Sequence, residues 1–250
     1  MRVHKWSAAY LNELYLMFYR KKFVMYAVFS AILPILLAIS LQALQPLLGL
    51  FAVSQSFPIE MLSIYTGIWI PLLIVTITAD LFPGEVGSRT MKLALLRPNS
   101  RFQVYGMKTA ALITCIAAIL IVLGAVSSIC NLFAGTTSSF TEIIGMLKAY
   151  VAAFISMVAL SSLFIFVSQF FKSASGYMVF ALILFVAAKI APFLLHAFAA
   201  FSPTSYTDWH MLWLSQTVSA GKLFTTSLFL FSSCILFMAL GYYKFDRKEV

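Results

Sequence analysis

The chain has 250 residues, of which 62% are hydrophobic and only 10% charged, with a mean hydropathy of +0.97 and a formal net charge of +9. Soluble domains carry about 25% charged residues, and a water-exposed fold could not hide this much apolar surface without large adhesive patches. The composition therefore excludes a soluble globular protein. The apolar runs are continuous rather than alternating, which points to an all-α integral membrane protein and away from a β-barrel.

Residues 5–20, KWSAAYLNELYLMFYR, precede the first apolar run. Trp6, Tyr10, Leu14, Met17 and Phe18 recur at helical spacing, with Leu11 and Leu16 off that stripe, which predicts an amphipathic helix lying in the membrane interface. About twenty polar and aromatic residues come before the first span and no small-residue cleavage motif follows it, so no cleavable signal peptide is expected.

A bilayer core about 30 Å thick requires roughly 20 apolar residues in helical form. Six stretches meet this, at 23–43, 61–81, 107–130, 146–170, 177–199 and 223–243, and they predict a single transmembrane domain over 1–250. Pro34, Pro71 and Pro192 lie inside spans and predict kinks, because neighbouring groups satisfy the carbonyl that a proline frees. Basic residues crowd alternate connections: Arg2, Lys5, Arg20, Lys21 and Lys22 before span one; Arg89, Lys92, Arg97, Arg101 and Lys108 between spans two and three; Lys172; and Lys244, Arg247 and Lys248 in the tail. The other connections hold only Lys148 and Lys222. The asymmetry predicts cytoplasmic N- and C-termini in a multi-pass cell-membrane protein. It also accounts for the net charge through anionic lipid, with no nucleic-acid partner.

Between spans two and three, Pro83-Gly84 ends the second span. A short helix is then expected over 85–96, with Glu85 in its first turn where the helix dipole favours an acid, and Pro98-Asn99 as its stop. Its apolar excess (Val86, Met91, Leu93, Leu95, Leu96) requires something to dock on. Glu85 is expected to cap this helix, to pair with Arg89 one turn on, or to meet a basic residue elsewhere. Residues 200–222, rich in Trp, Tyr and Ser, predict one or two short interfacial helices on the outer side.

Catalytic patterns are absent. No GxxxxGK[ST] phosphate loop, HExxH or GxSxG occurs. His4, His196 and His210 lack metal-ligand spacing, and no carboxylate pair lies within a span. Cys115, Cys130 and Cys234 read as small buried hydrophobes. Lys189 is the one clearly intramembrane charge, the others lying at span ends. Either it snorkels outward or meets a carbonyl freed by Pro192, or it faces a translocation path and meets an anionic group.

The connection between spans two and three resembles the first cytoplasmic loop of type-2 ATP-binding-cassette permeases. The resemblance rests on Asp80, Glu85, Thr90, Leu93, Leu95, Leu96, Pro98, Ser100, Arg101 and Lys108. The glycine that family usually places before the threonine is Arg89 here, with Gly87 nearby. The stretches NELYLMFYRKKF and YYKFDRKEV look like that family's amphipathic first helix with its basic anchor, and its short charged tail. The resemblance implies a permease subunit that is not itself an enzyme. Two copies, or one copy and a paralogue, would form the pathway, and ATP and Mg would reside on separate nucleotide-binding ATPase subunits. It implies a cytoplasmic coupling helix over 85–96, with Glu85, Arg89, Thr90, Leu93, Leu96 and Arg101 as the contact to the ATPase. Transport in that family is usually outward. The alternatives are an ion-coupled secondary carrier and a non-transporting membrane subunit.

Overall fold

The computed structural model describes residues 2–48, 57–91, 100–133, 139–194, 206–215 and 218–248. Among these residues there are helices and no strand. The helices are α1 (Arg2–Phe18), α2 (Lys21–Leu48), α3 (Phe57–Ile64), a π-helical turn (Tyr65–Trp69), α4 (Ile70–Leu81), α5 (Pro83–Gly87), α6 (Arg101–Phe133), α7 (Phe140–Ser168), α8 (Ala174–Leu194), α9 (Trp209–Leu214) and α10 (Ala220–Asp246). Six segments are long and apolar enough to cross a membrane: α2, α3 through α5, α6, α7, α8 and α10.

Two of the expected proline positions show how the bundle accommodates a missing donor. Pro34 is buried within the unbroken helix α2. It cannot donate to the carbonyl of Ser30, one turn earlier. The hydroxyl of Tyr65 donates to that carbonyl at 3.0 Å, and the indole N–H of Trp69 donates to Ser30 Oγ at 2.8 Å. Pro71 stands at the start of α4, directly after the π turn. Within that turn the Ile70 N–H reaches back to the Tyr65 carbonyl, so the helix continues through a widened turn rather than ending.

Two spans begin earlier than their hydrophobicity indicates, because each carries a capping box. Ser100 and Gln103 exchange backbone-to-side-chain bonds at 2.9 and 3.2 Å ahead of α6. Ser139 and Glu142 do the same ahead of α7, with the Ser139 N–H donating to Glu142 Oε2 at 3.1 Å. Helices α6 and α7 are the hubs. Helix α6 receives α1, α2 and α3, while α7 receives α4, α9 and α10 and also touches α6. The expected interfacial stripe of α1 is the packed one: Met17 is buried, Tyr10 and Phe18 pack on the core, and Leu11 and Leu16 are exposed. The side chain of Trp6 lies outside the described set.

One end of the bundle gathers α1, the α4–α5 corner, the α7–α8 turn and the end of α10. There Phe82, Tyr105 and Phe245 form an aromatic triangle with centroids 5.6–6.3 Å apart. The Tyr105 hydroxyl donates to the Met238 carbonyl and lies 2.5 Å from where a Cβ on Gly241 would stand, so a larger residue there would displace Tyr105.

Candidate functional site

At that same end, six charged side chains, from five helices and the α1–α2 link, form a compact ionic cluster. Lys108 on α6 is its centre, with a side chain only 1% exposed. Its ammonium donates to both oxygens of Glu85 on α5, at 2.8 and 2.7 Å, and to Glu13 of α1 at 3.4 Å. Arg20 reaches Glu85 at 3.6 Å and Asp80 at 3.7 Å, and Lys22 binds Asp80 at 2.8 Å. Removing one partner from a buried ion pair typically costs about 3–5 kcal/mol, whereas an exposed pair contributes about 0–1 kcal/mol. The Lys108–Glu85 contact belongs to the first class. Lys22, half exposed, belongs to the second. Close by, the Tyr10 hydroxyl meets Thr114 Oγ1 at 2.6 Å, a second tie between α1 and α6.

Helix α5 holds Glu85 in its first turn, as expected, but Glu85 turns away from Arg89 towards Lys108 and Arg20. A continuous helix over 85–96 does not form. The backbone turns at Ser88 and Arg89, and Arg89 has φ 59°, the left-handed region. Thr90 and Met91 are helical again. A left-handed conformation costs a non-glycine residue about 1–2 kcal/mol, which explains why glycine suits the site occupied here by Arg89. Ser88 Oγ and Thr90 Oγ1 pair at 2.9 Å to brace the turn. Gly87 allows it to approach the α7–α8 turn, since a Cβ there would stand 3.1 Å from the Lys172 carbonyl. Gly87, Ser88, Arg89 and Thr90 are exposed, while Met91 is fully buried. Leu93 and Leu96, with Leu95 and Pro98, lie outside the described residues.

Arg101 points elsewhere. Its guanidinium donates to the carbonyls of Asp246 and Lys248, the latter at 3.3 Å, so it caps the C-terminus of α10. Lys248 in turn donates to the Phe171 carbonyl at 2.9 Å. Burial, with the nearby Lys172 and Lys244 charges, pushes its pKa down to about 8.

Lys189 lies at the opposite end of the bundle. It donates to Thr207 Oγ1, with Asp208 at 4.0 Å, so its partners come from the loop ahead of α9 rather than from a carbonyl freed by Pro192. Nearby, fully buried His210 meets Ser63 Oγ through Nε2 at 3.1 Å, while its Nδ1 finds no partner among the described residues. Burial pulls its pKa below the ordinary histidine value.

Asp80, Glu85 and Lys108 are thus brought together by residues picked out in the sequence. Arg20, Lys22 and Glu13 complete the cluster without any local signal. Among the described residues no three His, Cys, Asp or Glu side chains group as metal ligands.

Six apolar helices long enough to cross a membrane, closed at one end by an ion-paired cluster, define an all-helical protein with the make-up of a multi-pass membrane protein. The chain belongs to the family described as protein of unknown function (DUF2705), whose model matches residues 47–250. No match was found among curated proteins.

Proposed function

We propose that this chain is the membrane-spanning permease subunit of an ATP-binding-cassette transporter, working as an exporter. A separate nucleotide-binding subunit hydrolyses ATP with its Mg, and the chain itself is not an enzyme. In this reading the ionic cluster faces the cytoplasm and both termini are cytoplasmic, in keeping with the basic residues around it. The segment from Pro83 to Met91 is the coupling element, and a second copy or a paralogue completes the pathway. The apolar faces that α2, α8 and α10 leave open are available to that second subunit and to lipid.

One observation carries the reading: the Gly87–Thr90 turn is exposed, yet its base is fixed to the third span by Glu85 and Lys108. A rigid link from an exposed docking turn to a spanning helix is what mechanical coupling requires. The left-handed backbone at Arg89, where the resembling family has glycine, supports it. Lys189, tied to Thr207 and Asp208, serves in this reading as an outer strut, not a path-lining charge.

The test is ATP hydrolysis by the reconstituted permease–ATPase complex. Arg89→Asp changes only an exposed side chain, so the permease should insert and fold normally. Like-charge or mismatched contacts at an interface cost several kcal/mol, so hydrolysis linked to transport should fall at least tenfold. Unchanged coupled hydrolysis in Arg89→Asp and in Thr90→Arg would remove this turn from the interface.

A further inference from the structure

Helices α6 and α7 do not close on each other along the half of the bundle opposite the ionic cluster. They leave an apolar groove of about 570 Å³. Its α6 wall is cut low by Ala117, Gly124 and Ala125, and its α7 wall runs from Ile143 to Phe154. At ~1.5 Å per residue that wall is about 16 Å long, against about 15 Å for half of a ~30 Å hydrocarbon core. The groove therefore has the length of one acyl chain in one leaflet, and its volume lies in the range of small-ligand sites, roughly 300–1,000 Å³. Tyr150 forms its floor, held by Ser127 and by the Pro58 carbonyl, both at 3.2 Å.

A second hollow of about 250 Å³ adjoins it, sharing Leu147 and Val151 and adding Lys148, Trp209 and Trp213. Lys148 is the one charge on either wall. Because the capping box starts α7 at Phe140, Lys148 stands in the third turn of the helix, with an exposed side chain. Two acids at this end are engaged elsewhere: Glu142, on the same helix, caps Ser139, and Asp208 faces Lys189. Lys148 has no carboxylate partner among the described residues. Its stem can lift the ammonium towards the headgroup level, where tryptophans also settle.

We infer that this α6–α7 groove is a binding site for one anionic phospholipid, with an acyl chain along Ala117–Ala125 and Ile143–Phe154 and the phosphate on Lys148, at the hollow that Trp213 borders. The site is independent of any ATPase partner and stands whether or not the chain is a permease.

The experiment uses the full chain in nanodiscs containing trace diazirine-labelled phosphatidylglycerol or phosphatidylcholine, with adducts mapped by peptide mass spectrometry. Both lipids carry the phosphate, but choline's own cation offsets it in phosphatidylcholine; a lysine beside a net anionic headgroup, worth about 1 kcal/mol, predicts that phosphatidylglycerol labels the groove peptides about fivefold more than phosphatidylcholine. The exposed α2 face around Ile32 and Leu36 should show no preference. Lys148→Gln should bring the ratio to one, and Ala125→Leu, on an exposed groove position, should reduce groove labelling by both lipids while leaving α2 labelling intact. Equal labelling of the groove by the two lipids, or a preference that survives Lys148→Gln, overturns the proposal and leaves only ordinary bilayer contact.

Discussion

Two buried polar sites in this protein solve the same problem in different ways. Around Ser30, deep in the apolar bundle, a carbonyl orphaned by Pro34 is satisfied by one neutral donor, the Tyr65 hydroxyl, while Trp69 donates to the Ser30 hydroxyl beside it. Around Lys108, at the end of the bundle, a full charge is buried and satisfied by two carboxylates, with Arg20 balancing them. The neutral site repairs one helix and joins it to its neighbour. The ionic site joins α1, α5 and α6, and charges attract over distances that neutral dipoles do not. The difference teaches that the interior is held by local repair, whereas the end proposed to meet a partner is held by a cooperative network.

The sharpest way to break this comparison is Lys108→Met. It strands Glu85 and Glu13, and with Arg20 still 3.6 Å from Glu85 the loss should fall near the lower end of the about 3–5 kcal/mol for a broken buried pair. Thermal unfolding in nanodiscs checks it. Adding Glu85→Gln to Lys108→Met should recover most of the loss, because no unpaired Glu85 charge then remains. Equal instability in the single and double variants would mean the cluster is not a network.

The neutral site should respond less. Tyr65→Phe removes the donor to the Ser30 carbonyl and should cost about 0.6–1.7 kcal/mol, the range of interhelical hydrogen bonds in membrane proteins. In a Pro34→Ala background the helix supplies its own donor, so Tyr65→Phe should become nearly neutral there. A loss of the same size in both backgrounds would contradict the repair account.

Arg89→Gly should stabilise the turn by about 1 kcal/mol by releasing the left-handed strain. Slower proteolysis of the loop reports it. Lys22→Ala should cost no more than about 1 kcal/mol, since its pair with Asp80 is half exposed. At the opposite end, His210 is held neutral by burial. Its folded pKa lies below the unfolded value of about 6.5, so the unfolded form binds the extra proton first. Docking of α9 should therefore be firm above about pH 6.5 and loosen as pH falls through that value, with His210→Asn flattening the response in hydrogen exchange.

Much of this layout was readable in the sequence because it rests on local chemistry. The six apolar runs, the stripe of α1 and the tolerance of Pro34 and Pro71 follow from hydrophobicity and from what proline removes. Two boundaries differ from the expected starts at 107 and 146: the Ser100-Gln103 and Ser139-Glu142 capping boxes carry the helices back to Arg101 and Phe140, past the hydropathy edge. Other features depend on how helices rotate against one another. Nothing near Glu13 signals that it will face Lys108, and the choice of Lys108 over Arg89 as the partner of Glu85 is made by the left-handed turn at Arg89. Lys189 likewise could not be placed from sequence, because its contacts with Thr207 and Asp208 are made only in the folded bundle.

The most direct test of the proposed coupling role is a photo-crosslinking amino acid at position 89, introduced in cells that express the chain at its natural level. The account predicts one dominant adduct, with a separate ATPase subunit carrying a phosphate-binding loop, and loss of that adduct when Glu85→Ala uncouples the turn from α6. A turn that crosslinks only to lipid or to another copy of this chain, with no ATPase captured, would contradict it.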